Sequence, residues 1–141
     1  MKNLVTQAGL ADEFYIASAA TSSEEIGNSV YPPARRKLAE HGISCDGKRA
    51  RQLTRADYDH YDLLIGMDEW NLQNMHRICG GDPEAKIHKL LQFIDRQSPR
   101  YGADVADPWY TDDFEATWRD VLQGCHALLK QLNANTPTLA F

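Results

Sequence analysis

Apolar residues recur along this chain in two rhythms, short unbroken runs and longer stretches at helical spacing. Phe14-Tyr15-Ile16-Ala17-Ser18-Ala19 and Leu63-Leu64-Ile65-Gly66-Met67 are mostly apolar runs of the kind a buried parallel strand requires. Ile87-His88-Lys89-Leu90-Leu91 predicts a third strand. Phe114, Trp118, Val121, Leu122, Cys125, Leu128, Leu129 and Leu132 recur at three- and four-residue steps, so a helix with one apolar stripe is predicted from about 114 to 132. Punctuation marks the shorter helices. Gly9 stops a helical segment over Lys2 to Ala8, and Pro32 or Pro33 opens one that runs to Glu40 and ends at His41-Gly42. Thr54 caps a turn over residues 55–58, and Asp68 caps a helix that reaches Ile78 and stops at Gly80-Gly81. Residues 20–31 and 95–106 have turn and loop composition. Strands alternating with helices predict an α/β fold, a parallel sheet covered by helices on both faces.

Composition narrows the function classes. At 141 residues, without repeats or low-complexity tracts, the chain reads as one domain over 1–134 followed by an aperiodic tail, 135–141, expected to be loose. A net charge of -5 argues against a general nucleic-acid or anionic-membrane binder, which needs a basic footprint. No apolar run approaches the roughly 20 residues of a membrane helix, and the N-terminal residues lack the features of a signal peptide. Cys45, Cys79 and Cys125 lie far apart, which argues against a disulfide framework and fits a reducing cytoplasm; Cys79 and Cys125 fall at helical positions and read as core thiols. The five histidines have no metal-ligand spacing, so no metal or cofactor is expected. Arg35-Arg36-Lys37 reads as a solvated helix face.

Several segments occur in an informative order: Ser18-Ala19-Ala20-Thr21-Ser22 leading to Glu25-Ile26-Gly27-Asn28, then His41-Gly42-Ile43, Ala50-Arg51-Gln52-Leu53, Gly66-Met67-Asp68 leading to Asn71-Leu72, and Asp107-Pro108-Trp109-Tyr110. Together they resemble the low-molecular-weight protein tyrosine phosphatase family, in its bacterial branch, from residue 1 to about residue 132. The resemblance implies hydrolysis of phosphotyrosine monoesters by a Cys nucleophile with an Asp general acid, and a phosphotyrosine protein or aryl phosphate as partner. It also implies an opening strand running into a Cys–five residues–Arg loop, and by resemblance this sequence begins inside the helix that follows that loop. The first strand and nucleophile loop are therefore expected to be missing.

Cys45-Asp46-Gly47-Lys48-Arg49-Ala50-Arg51 has the spacing of that loop but not its setting. A working loop needs a strand before it and a helix N-terminus after it, so that backbone donors converge on the anion and depress the thiol pKa. Here the Cys follows a helix stop and Gln52 stands where Ser or Thr should follow the Arg. The match is read as coincidence.

By resemblance, Asp107 is the general acid that protonates the leaving phenolate oxygen, against the bland alternative of an Asp-Pro turn. Trp109 and Tyr110 match aromatic walls of the cleft, and Tyr110 a position that can be phosphorylated. Packing of the loop onto the domain explains Trp109 equally well. Ser18 and Asn28 match residues that support the phosphate loop, with turn and strand-end roles as the alternative. Glu24 stands where several relatives carry an aromatic cleft wall. Asp68 is explained as a helix cap. Lys48, Arg49 and Arg51 are read as a solvated loop.

Two function classes remain open beside a thiol-dependent arsenate reductase, which lacks its paired resolving cysteines here. One is a phosphatase whose 141-residue form is inactive without its nucleophile loop; the other is a non-catalytic phosphatase-like binding protein. Without an interior strand, two neighbours would expose unpaired N–H and C=O groups, so a homo-oligomer through the sheet, or else a loosely packed monomer, is expected. The tail 136–141 is a poor replacement strand, because Pro137 cannot donate to a ladder.

Overall fold

The computed structural model describes residues 1–133 and the backbone of 139–140. In chain order the elements are α1 (Lys2–Gln7), a 3-10 turn (Ala11–Glu13), β1 (Phe14–Tyr15), α2 (Pro32–Glu40), α3 (Arg55–His60), β2 (Leu64–Gly66), α4 (Glu69–Cys79), β3 (Ile87–Lys89), a second 3-10 turn (Leu90–Gln92), α5 (Pro108–Thr111), α6 (Phe114–Asn133) and β4 (Leu139–Ala140). The fold is α/β, as the alternation of runs predicts.

β2 and β3 pair in parallel, with Leu64 opposite Ile87 and Gly66 opposite Lys89. Parallel neighbours need a crossover, and α4 supplies it. Asp68 starts α4 as its cap, its side chain accepting the Asn71 N–H at 2.7 Å, and Gly80 ends it in the left-handed conformation at φ 75°. Leu64 packs into a cluster with Tyr58, Tyr61, Met75, Cys79 and Ile87. Its neighbours Leu63 and Ile65 pack into a second cluster around Leu90, Leu91, Cys125 and Leu128. Alternation along β2 thus buries one face and partly covers the other, which is why its sequence is an unbroken apolar run. Cys79 and Cys125 are core thiols, and burial pushes the Cys79 thiol above its ordinary value.

The long helix α6 closes the second cluster by lying against the Leu90 turn. A β-carbon placed on Gly124 would stand 2.5 Å from Leu90 Cγ, so only glycine admits this approach.

Three local expectations differ from the structure. The run 14–19 forms a ladder only at Phe14–Tyr15, and the next strand-like contact is a single parallel bridge from Ala20 to Gln52. A ladder needs a partner beside it, and apolar composition reveals burial, not partnership. Beyond Lys89 the third run winds into the 3-10 turn rather than continuing as strand, with the Lys89 N–H donating to Gln92 Oε1 at 2.9 Å. Lys37 is not part of a solvated face; its side chain is largely covered and bridges Glu40 at 2.9 Å and Glu115 at 2.8 Å, joining α2 to α6.

The tail read as loose lies outside the described residues except at 139–140. There the backbone pairs in parallel with β1, Phe14 opposite Leu139 and Tyr15 opposite Ala140. Pro137 lies outside the described residues. The described strands therefore form two separate pairs, β1–β4 and β2–β3.

Candidate active site

In parallel α/β sheets the loops beyond the carboxyl ends of the strands form the natural crevice. Here the segment after β1 and the end of β2 face each other across a cavity of about 450 Å³. Ile16 to Ser22 line one side and Leu63 to Met67 the other, with Asn71 of α4 beside them and Leu90, Cys125 and Leu128 deeper in. A smaller cavity of about 200 Å³ adjoins it, lined by Ser18, Asn28, Ser29, Lys48 and Arg49 among others. Ser18 and Arg51 border both.

Arg51 is held rather than solvated. Its guanidinium donates through Nη1 to Asp57 Oδ2 at 3.0 Å and through Nη2 to Asp57 Oδ1 at 3.2 Å. Asp57 in turn accepts the Thr54 N–H at 2.8 Å and the Thr54 hydroxyl at 3.2 Å, closing a capping box on α3. Burial alone would push the Asp57 carboxyl up, but the Arg51 guanidinium and the Thr54 donors outweigh it and hold the carboxyl below its ordinary 3.8. The Cys45–Arg51 pattern accordingly has none of the geometry of a nucleophile loop: its Arg is spent on Asp57, and the next helix begins only at Arg55.

Asp107 lies on the segment that meets the end of β2, where the Val105 N–H donates to the Met67 carbonyl at 2.9 Å. Asp107 caps the one-turn helix α5, its carboxylate accepting the Trp109 N–H at 2.9 Å, and its side chain stands exposed. The neighbouring peptide is gripped from α6. The Thr117 hydroxyl donates to the Ala106 carbonyl at 2.6 Å, and the Ala106 N–H donates to Asp120 Oδ2 at 3.1 Å. Arg100 also donates to Asp120 Oδ2, at 2.6 Å, and to the Asp104 carbonyl at 2.8 Å. Thr117, Asp120 and Arg100 carried no signal in the sequence beyond lying off the apolar stripe of α6 or in a polar loop.

The aromatic pair resolves in part. Trp109 leans on Tyr31, ring centroids 5.2 Å apart, yet remains 67% exposed, and Tyr110 is 85% exposed. Neither Asp107 nor these aromatics line the large cavity; they stand beside it, linked through Met67. Asn28 donates its amide to Glu25 Oε2 at 2.7 Å, and Glu24 lies exposed in the same turn, away from both cavities. Among the described residues no group of three His, Cys, Asp or Glu side chains is placed to hold a metal ion, and no helix is long and apolar enough to cross a membrane.

Parallel strands around an α4 crossover, with a crevice at their carboxyl ends and an Asp-Pro segment with exposed aromatics beside it, define an α/β domain with its candidate site at the strand ends. The chain belongs to the low molecular weight phosphotyrosine protein phosphatase family, whose sequence profile matches residues 1–138. It is 31% identical over 131 residues to the low molecular weight protein-tyrosine-phosphatase YfkJ of Bacillus subtilis, covering 93% of this chain and 82% of that protein. The low molecular weight phosphotyrosine protein phosphatase of Sus scrofa is likewise 31% identical, over 133 residues, with 93% and 82% covered. The crystal structure of YfkJ superposes with a TM-score of 0.88 at 32% identity, over 94% of this chain and 82% of the other. A protein tyrosine phosphatase from Entamoeba histolytica shares the fold, with a TM-score of 0.83 at 21% identity over 94% and 84%.

The Arg51–Asp57 pair gives a pH prediction. A carboxyl held below its unfolded value adds stability that is complete above that value and is lost as pH falls through the folded one. The melting temperature should therefore drop as pH falls below about 4, and Asp57→Asn should be less stable at neutral pH with a shallower acid decline. Thermal melts between pH 7 and 3 measure both, and parallel curves for the two proteins would show that Asp57 does not couple to folding.

Proposed function

We propose that this domain recognises phosphotyrosine monoesters and that Asp107 is the proton donor to the leaving phenolate. The observation that carries the reading is the placement of Asp107. Its carboxyl is exposed on a backbone pinned to the end of β2, next to two aromatic rings that are themselves exposed. General acid chemistry needs such a carboxyl at the rim of the crevice, and a phenyl ring needs aromatic surface beside it. In this reading Trp109 and Tyr110 flank the substrate ring, Ser18 and Asn28 support the phosphate side, and Glu24 occupies the position of an aromatic wall in several relatives without lining either cavity. The expected setting is cytoplasmic, without nucleic acid.

For the 141 residues taken alone the reading is more restrictive. Cys79 and Cys125 are buried and Cys45 sits in a turn without a helix N-terminus after it, so none is presented as a phosphate nucleophile. The same observation favours binding without turnover as the second reading. The isolated 141-residue protein should have no measurable activity on p-nitrophenyl phosphate at mildly acidic pH. Robust turnover, abolished by Cys45→Ser, would overturn this.

Fusing a strand–Cys–five residues–Arg–Ser segment ahead of Met1 supplies a nucleophile for a test of Asp107. In that protein Asp107→Asn should lower kcat by about 10²- to 10⁴-fold with KM nearly unchanged, and least for substrates with very acidic leaving groups. An equal, few-fold loss across all leaving groups would make Asp107 a turn residue only.

Self-association belongs to the same reading. The segment after β1 and the strand β2 face each other across the large cavity, the described β1 and β2 do not pair, and open strand edges recruit other strands. Sedimentation equilibrium should find a dimer or larger species that dissociates on dilution, whereas a strict monomer at every concentration would refute it.

A further inference from the structure

Asp120 and Thr117 lie three positions apart on α6, so their side chains share one face of the helix. Both are spent on the backbone of one residue, Ala106, and so on the two peptide units that flank it. Thr117 donates its hydroxyl to the carbonyl of Ala106 at 2.6 Å, and Asp120 Oδ2 accepts the Ala106 N–H at 3.1 Å. Ala106 immediately precedes Asp107. The residue before it, Val105, is tied to the end of β2 through Met67 at 2.9 Å, and Arg100 neutralises Asp120 at 2.6 Å while also holding the Asp104 carbonyl.

Asp120 is unusual on other grounds. It is one of only two buried polar or charged residues among those described, 8% exposed, on a helix whose other buried positions are Gly124, Cys125 and Leu128. Burying a carboxylate is costly unless it is paired and hydrogen-bonded. Here one oxygen takes both compensating donors, the Arg100 guanidinium and the Ala106 amide. The carboxylate thus exchanges solvation for a fixed position of the Ala106 backbone.

We propose that Asp120 and Thr117 are positioning residues, which set the carboxyl of Asp107 beside the crevice by gripping the N–H and the carbonyl of Ala106. The inference rests on the reading of Asp107 as the proton donor. A general acid on an exposed segment is effective only if held in place, since small misplacements cost large factors in rate. The α5 turn carries Asp107 but is four residues long and has no buried residue of its own. The clamp from α6 supplies the rigidity that α5 lacks.

The test uses the 141-residue protein and needs no turnover, so its outcome is independent of the leaving-group experiment on Asp107. Amide exchange at Ala106 is followed by NMR, and the protein is labelled with 5-fluorotryptophan so that Trp70, Trp109 and Trp118 report separately. In Asp120→Ala, exchange at Ala106 should rise at least tenfold and the Trp109 resonance should move toward its unfolded position, while Trp70 stays. Asp120→Asn, which keeps an acceptor for the amide, should restore most of the Ala106 protection. A purely structural role of Asp120 would instead lower the melting temperature and shift all three tryptophans together. If Asp120→Ala does not fold, Thr117→Val decides, because it removes only the hydroxyl: a selective Trp109 shift supports the clamp. An unchanged Trp109 resonance and unchanged Ala106 exchange in either folded variant would overturn it.

Discussion

The approach of α6 to the turn at Leu90 is the constraint on which the remaining geometry hangs. Gly124 has no side chain to hold the helix away from the Leu90 side chain, so the α6 backbone itself forms part of the second core cluster. Overpacking at such a contact typically costs 1–3 kcal/mol. From that seat α6 reaches in two directions. Toward its N-terminal end it presents Thr117 and Asp120 to the Asp107 segment and Glu115 to Lys37 of α2. Toward its C-terminal end Gln131 donates to the Phe93 carbonyl at 2.8 Å. One helix therefore fixes both the far wall of the crevice and the backbone at its rim.

Charge in this acidic chain is used locally. Lys89 is buried beside the end of β3, where loss of solvent would lower its pKa, but Asp104 and Glu69 together raise it instead. Asp104 also accepts the Glu69 N–H at 3.0 Å, tying the first turn of α4 to the loop that leads to Asp107. On the opposite side Asp82 accepts the Tyr58 hydroxyl and the Lys86 and Ile87 amides, and these outweigh burial to keep its carboxyl low. The carboxylates in these networks organise backbone N–H groups as much as they neutralise cations.

Much of the scaffold was legible because its signals are local. The Leu63–Met67 run, the Asp68 cap and the Gly80 stop each encode their structure within a few residues, and all three stand where the pattern puts them. The family was legible because several short segments kept their order. What sequence could not reveal is pairing across distance. The run 14–19 has the composition of a longer strand, yet its described ladder covers only Phe14 and Tyr15. Asp107 read as a loop residue, while in the structure it caps a helical turn, since a four-residue helix has no periodicity to detect. Asp120 and Thr117 were illegible for the same reason: polar residues on a helix announce solvent, and only the fold brings Ala106 to them.

The two strand pairs also differ in how far apart their members lie along the chain. β2, α4 and β3 form one contiguous unit, so its ladder closes a short loop, whereas β1 meets β4 only after nearly the entire chain is in place. Loop-closure entropy and contact order make the first association early and the second late. Chain connectivity therefore favours the β2–α4–β3 unit as the seed of folding and the β1–β4 ladder as a late step.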